Sequence, residues 1–590
     1  MKYFLKQSVI PLVAALLFSH GLAAQTSAKE NVPKDWHLKD KQKDGLYGIS
    51  MDKAYEFVKN KKSKTVLVAV IDSGIDTTHE DLKPVLWTNP KEISGNGIDD
   101  DKNGYVDDIH GWNFIGGKDG RNVQEDSYEA SRVYHKYKER FQDITDSSTL
   151  SKEDQYLYNM WKKAQTQVGG NTTNGLELVI MRRSYVAASA SDSILRKAMG
   201  KETYTGKELD AFVPVAEDAK KAKRTLLYLF SANNMMDDTN VSFLTGLNDY
   251  ISGEERKAEA AEKAPKDYRN EIVKDNYSDI NDRFYGNNDI MAGAENSLHG
   301  THVAGIIGAA RNNGKGVDGI ADNVKIMMIR AVPDGDEHDK DIALAIRYAV
   351  DNGARVVNMS FGKGFSPEKK WVDEAVKYAE SKGVLLIHAA GNDAANNDST
   401  DNFPNPNFVS ETITAPNWIT VGASSDPKLG GSLTASFSNY GKKEVDVFAP
   451  GTKIYSTAPA KNEYKALSGT SMASPVVAGV AAFLMSYYPN LTAEQIKKVI
   501  ESSAVKPSVK AKNPGTEDLV DLSDLSKTGG IINAYEAAVL AEKMSSGNKT
   551  ATTATAKPAA KPVKAKQKVA AKKVVAKKAD KKKVTEKKAF

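Results

Sequence analysis

The sequence predicts an α/β fold built on a central, mostly parallel sheet, and three observations predict it. Apolar runs rich in β-branched residues recur at the length of buried strands, stretches of helical period separate them, and glycines stand at the joints. The first run, "KTVLVAVID", ends at Asp72, and "VKIMMIRAV", "ARVVNMSFG" and "GVLLIHAAGN" are its counterparts further on. None alternates apolar with polar residues, so each reads as a strand buried on both faces. Between the last three lie "DKDIALAIRYAVDNG" and "SPEKKWVDEAVKYAESKG", with apolar residues at helical spacing and Gly353 or Gly383 where a C-cap belongs. Strand, helix, strand, helix, strand implies right-handed crossovers and a parallel sheet.

The 590 residues exceed one ordinary domain, and the texture of the chain divides it. Residues 1–24, a basic start followed by an apolar run and small residues, read as an export signal; Pro11 and Ser19 interrupt the run and make it short for a membrane span. No later stretch is predicted to cross a bilayer. Residues 25–119 and 286–545 carry the α/β texture. Residues 120–285 are rich in Lys, Glu, Ala, Tyr and Asn, with helical faces such as Tyr134, Tyr137 and Phe141, and are predicted to be a mainly helical insertion. Residues 546–590 are dominated by Ala and Lys, have no aromatic residue before Phe590, and are predicted to be a disordered tail.

Composition excludes several functions. There is no cysteine, which rules out disulfides, thiol catalysis and acylation of a lipoprotein cysteine. An exported domain without disulfides must be held by core packing or by metal, so bound calcium is plausible in advance. The net charge is +5, yet residues 551–590 alone hold 14 Lys against Asp580 and Glu586, so the rest of the chain is acidic. Such a tail would attract polyanions nonspecifically and in a salt-dependent way; without interleaved aromatic residues it predicts no dedicated nucleic-acid function.

Asp72 opens the question of chemistry, because Asp-Ser-Gly after a strand is either one arm of an aspartic-protease dyad or the buried acid of a Ser-His-Asp triad. A dyad needs a second such element, and the sequence has only Asp72-Ser73-Gly74. A triad finds its other members in "HGTHVAG", beginning at His299, and "SGTSMASPVVAGVAAFLM", which sets Ser471 at a Gly-Thr-Ser turn before an apolar helix. A serine hydroxyl needs an imidazole to take its proton and a carboxylate to fix that imidazole. Asn392, closing "AAGN" after a buried strand, and the backbone N–H of Ser471 are candidate oxyanion donors. His299 and His302 at i, i+3 could instead be zinc ligands, but no third ligand lies at metal spacing. His388 reads as a core histidine and His79 as structural or near a substrate rim.

In "VIDSGID", "HGTHVAG", "VVNMSFG", "AAGN", "VDVFAPG" and "SGTSMASP", in that order, the chain resembles the subtilisin-type serine proteases, the subtilases. The resemblance implies a three-layer subtilisin-like fold, Asp72 as triad acid, His299 as base, Ser471 as nucleophile and Asn392 as oxyanion donor. It also implies that Ser360, Phe361 and Gly362 pair with an extended peptide while Ala389, Ala390 and Gly391 form the other wall of the pocket next to the scissile bond. A secreted, periplasmic or envelope-associated endopeptidase acting on peptides or proteins follows. A non-catalytic envelope binding protein and a subtilase-type ligase remain the other readings; the intact triad residues argue against the first and nothing demands the second.

Two features fall outside that pattern. "NGIDDDKNGYVDDIHGWNF" sets Asp99, Asp101, Asn103, Tyr105 and Asp107 at the alternating oxygen-ligand positions of an EF-hand-type loop, with Gly104 at the sharp turn. A structural Ca²⁺ site without flanking helices is predicted, against the plainer reading of a solvated acidic turn. The chain also leaves no room before Asp72 for the usual subtilase pro-domain. The insertion is predicted either to cap the body, restricting substrate or assisting folding, or to be a passive excursion.

Overall fold

The computed structural model describes residues 32–554 apart from 171–174, 234, 237 and 410. The export signal read at 1–24 and the tail beyond residue 554 lie outside the described residues. In chain order, strand β1 (Val66–Asp72) and the short β2 (Gly111–Asn113) precede five long helices of the insertion: α1 (Glu129–Phe141), α2 (Lys152–Gly170), α3 (Gly175–Met199), α4 (Glu217–Ala232) and α5 (Asn240–Glu262). Helix α6 (Leu298–Gly308), β3 (Val324–Arg330), α7 (Asp339–Asp351), β4 (Val356–Met359), α8 (Lys369–Ser381) and β5 (Leu385–Ala389) follow. Then come β6 (Trp418–Ser424), β7 (Val447–Pro450), the antiparallel pair β8 (Ile454–Ala458) and β9 (Glu463–Leu467), and α9 (Thr470–Tyr487).

Strands β1 to β7 form one sheet in the order β2-β3-β1-β4-β5-β6-β7, every pair parallel. β1 lies inside it, Val68 opposite both Ile326 and Val356. Because side chains alternate across a strand, the apolar runs serve two cores at once. Val68, Val70, Ile326, Met328, Leu385 and Ile387 face α6 and α9, whereas Ala69, Ile71, Met327, Ile329, Val357 and Leu386 face α7 and α8. Helix, sheet, helix makes the three layers that the resemblance implies. Helix α9 is long and apolar enough to cross a membrane, yet it packs against the sheet beside α6 and is almost wholly buried. That burial, and not a bilayer, explains its composition.

The insertion is helical and has cores of its own. Helices α3, α4 and α5 pack around Leu195, Leu226, Phe230, Phe243 and Ile251; α1 and α2 pack around Val133, Phe141, Trp161 and Ala164. The second cluster takes in Phe365, a residue of the body. Buried ion pairs add to this seam: Arg269 donates to Asp341 of α7 through both terminal nitrogens, at 2.5 and 2.8 Å, and Lys340 of α7 donates to Asp275 at 2.6 Å. The described residues up to Ser545 form one unit, insertion included, and those from Ser546 another. The described residues of that second unit, 546–554, are helical where the sequence predicts disorder. They are the end of a helix that begins at Ala534, so its nucleation cost is met before the tail is reached.

Candidate active site

β1 ends at the sheet's carboxyl edge on Asp72, which is 1% exposed. Its Oδ1 accepts from the backbone N–H of Ser73 and from His299 Nδ1, each at 2.7 Å. His299 stands in the first turn of α6, and the approach of that helix to β1 depends on the next residue. A Cβ on Gly300 would lie 2.2 Å from the carbonyl oxygen of Gly74 and about as close as van der Waals contact permits to the Asp72 side chain. Burial pulls the His299 imidazole toward its neutral form; the Asp72 charge and hydrogen bond outweigh this, so its pKa lies above the ordinary 6.5. The side chain keeps 38% of its surface open to solvent.

Ser471 stands in the first turn of α9, directly after the β8–β9 hairpin. Its hydroxyl donates to the carbonyl of Ser360 at 3.0 Å, and Ser360 Oγ donates back to the carbonyl of Ser471 at 2.9 Å. The second bond has a cause in the sequence. Pro475, four residues on, has no N–H to bond the Ser471 carbonyl within the helix, and the Ser360 hydroxyl takes its place. Among the described residues no hydrogen bond joins Ser471 to His299, so the structure brings together Asp72 with His299 and Ser471 with Ser360. Catalytic hydrogen bonds are often unmade before substrate binds, so both residues stand as candidates.

Asn392 is fixed by its oxygen: Oδ1 accepts from the backbone N–H of Thr470 at 2.8 Å and from the Thr470 hydroxyl at 3.0 Å. The amide nitrogen is left to face Gly469. A Cβ on Gly469 would lie 3.6 Å from the backbone nitrogen of Ser471 and 3.8 Å from Asn392 Nδ2. The two candidate donors thus flank one small space, which glycine keeps open. Ala389 ends β5, Ala390 N–H donates to Val421 O, and Gly391 N–H donates to the Thr470 hydroxyl at 3.1 Å, so this segment is tied to the serine turn.

The other histidines have structural partners. His302 bonds the Lys465 carbonyl at 2.9 Å and His388 the Phe361 carbonyl at 2.7 Å; burial pushes their pKa values down to about 3 and about 4. His79 accepts from Asp81 N–H at Nδ1, which makes Nε2 the donor to Glu463 O.

The acidic loop differs from the EF-hand spacing. Asp99 and Asp101 meet Glu92, their oxygens within 4.8 Å of one another, and Glu92 Oε2 is buried with no hydrogen-bond partner. Asp107 is directed elsewhere: its carboxylate accepts from the backbone N–H groups of Gly95, Asn96 and Gly97, which holds that turn. Asn103 donates through Nδ2 to Asp108 and accepts at Oδ1 from Tyr105 N–H. The Tyr105 ring packs on Trp112, Phe114 and Tyr348, and its hydroxyl is directed to the Arg283 carbonyl. Glu92 stands outside the loop's repeat, so spacing alone could not find it. An orphaned buried carboxylate oxygen beside two Asp side chains fits a hard cation.

A model of the subtilase family matches residues 63–530. The chain is 44% identical over 211 residues to a thermophilic serine proteinase of Bacillus sp. (strain AK1), covering 36% of this chain and 47% of that one. It is 40% identical over 209 residues to subtilisin DY of Bacillus licheniformis, covering 35% and 70%, and 41% identical over 212 residues to thermitase of Thermoactinomyces vulgaris, covering 36% and 68%. It thus spans about half the length of the first of these relatives. Most of the chain lies within the family match and the sheet has the predicted layers: the chain belongs to the subtilase family.

Proposed function

We propose that this subtilase is an exported serine endopeptidase that cleaves peptide bonds through an acyl-enzyme formed on Ser471. The single observation that carries the reading is the 2.7 Å bond from His299 Nδ1 to buried Asp72, which fixes the tautomer and leaves Nε2 to take the serine proton. The Ser471 oxygen attacks the carbonyl of an extended peptide paired with Ser360, Phe361 and Gly362. The oxyanion is met by Asn392 Nδ2 and the Ser471 N–H. The imidazolium, stabilised by Asp72, then protonates the leaving amine, and water repeats the sequence to release the acyl group. Ala389, Ala390 and Gly391 line the pocket for the side chain next to the scissile bond.

Glu92, Asp99 and Asp101 would hold a structural calcium ion, which supplies charge neutralisation and a cross-link to a loop that has no disulfide. The basic residues after 550 add only nonspecific attraction to polyanions. Fluorophosphonate labelling of the purified protein tests the reading, with Ser471→Ala as control. Labelling lost in the variant is expected; a folded wild-type protein that never labels would favour the non-catalytic binding reading.

A further inference from the structure

The sheet order leaves a slot one strand wide. β1 lies between β3 and β4 and the three end level, at Asp72, Arg330 and Met359; the Asp72 carbonyl accepts from Ala331 and Val332 N–H, and beyond it the chain segments that follow β3 and β4 continue without a strand between them. The continuation of β4 is Ser360–Lys363. Phe361 O is bonded by His388, and Lys363 pairs through both N–H and C=O with Phe403, so these two residues face away from the slot. By strand alternation Ser360 and Gly362 face into it. The segment after β3 bonds outward in the same way at Asp334, to Gln124 and Asp126, which leaves Gly335 to face inward before the chain bends. An extended peptide in line with β1 would find backbone partners on both walls.

At Lys363 the slot is bridged. Its side chain, 1% exposed, crosses to the opposite wall and donates to the Glu337 carbonyl at 2.6 Å, spanning the path that the next residue of the peptide would take. Its remaining donors go to Glu129 and Asp339, each at 2.8 Å. Glu129 belongs to insertion helix α1, and from the same helix Arg132 donates to the carbonyls of Asp336 at 3.0 Å and Glu337 at 3.2 Å. Further holds come from α2: Tyr156 OH donates to Ser366 O at 2.9 Å and Lys163 Nζ to Gly364 O at 3.0 Å, while Phe365 is buried between α1 and α2. The insertion therefore grips the segment that follows the substrate strand.

We propose that Lys363, held by Glu129 of the insertion, closes this groove, so that a peptide is engaged over about three residues on the acyl side of the scissile bond and must turn out to solvent beyond them. The count follows from the distance between the serine contact at Ser360 and the bridge at Lys363. Lys363 is a specificity-determining residue that touches the path of the substrate and not the reacting atoms. The inference rests on Ser360–Gly362 pairing with substrate, as proposed above.

The test uses full-length Ser471→Ala protein and N-acetylated Ala/Val peptides carrying one to six residues before the scissile bond, with affinity measured by titration calorimetry. Each engaged residue is expected to tighten binding by about two- to tenfold, and the gain is expected to stop after the third. A continued rise of that size at the fourth and fifth residues overturns the proposal, and so does no binding at any length. The Lys363→Ala/Glu129→Gln variant is expected to extend the gain to the fourth residue; a correctly folded double variant whose plateau stays at three residues overturns the role of Lys363. Wild-type hydrolysis of the same series separates the two readings. A binding plateau without hydrolysis leaves the closed groove standing and removes the peptidase, whereas hydrolysis with length dependence through the fifth residue does the reverse.

Discussion

At the residue scale, the exposed edge of a buried pair sets the pH at which the site works. Asp72 holds a proton on His299, and the base is active only when that proton is absent, so the acid limb of kcat/KM is expected above pH 6.5. In Asp72→Asn the charge is gone and burial alone remains, which lowers the imidazole pKa. The acid limb should then move down while the plateau falls by about 10⁴, because the amide can no longer fix the tautomer. A pH–rate profile in which the limb stays put would show that Asp72 does not set the His299 titration. Asn392→Ala removes one of the two donors beside Gly469 and is expected to lower kcat by about 100- to 1,000-fold with little change in KM. A loss confined to KM would mean that Asn392 binds ground-state substrate instead.

At the element scale, legibility depends on whether partners share a local pattern. Strands β1, β3, β4 and β5 and helices α7 and α8 stand in the sequence as whole runs with glycine stops, because each element's burial is written in its own period. The serine turn was legible for the same reason: Gly469, Ser471 and Pro475 lie within one motif. The acidic loop was only half legible. Its spacing implied that Asp107 follows Asp99 and Asp101 as a ligand, but the backbone folds back at Gly95–Gly97 and claims that carboxylate, while Glu92 enters from outside the repeat. Calcium is therefore expected to raise the melting temperature of the Ser471→Ala protein, by an amount equivalent to about 2.7 kcal/mol at a hundredfold excess over Kd. Glu92→Gln should abolish most of that response, whereas Asp107→Asn should destabilise the turn and leave the response to calcium intact. The opposite pattern would restore the EF-hand spacing as the correct account.

At the scale of the whole molecule, the three-layer order was legible because a sheet buried on both faces leaves nearly continuous apolar runs. The joining of insertion and body was not, since Lys363 with Glu129 and Arg269 with Asp341 are long-range charge pairs that no periodicity announces. What the folded body buries also decides its response to acid. His37, His302 and His388 are all less than a tenth exposed, and burial lowers their pKa values to about 4, 3 and 4. The unfolded chain takes up protons on these side chains near pH 6.5, while the folded chain holds them neutral. Their contribution is thus fully present above pH 6.5 and is lost as the pH falls toward 4. For His388 alone the shift corresponds to about 3 kcal/mol between those limits. Melting temperatures of the Ser471→Ala protein, chosen so that self-digestion cannot intervene, should fall steadily from pH 6.5 to pH 4. His388→Gln keeps a donor for the Phe361 carbonyl but cannot be protonated, and it should flatten that slope. A melting temperature independent of pH across this range, or an unchanged slope in the variant, would mean that the buried histidines do not govern acid stability.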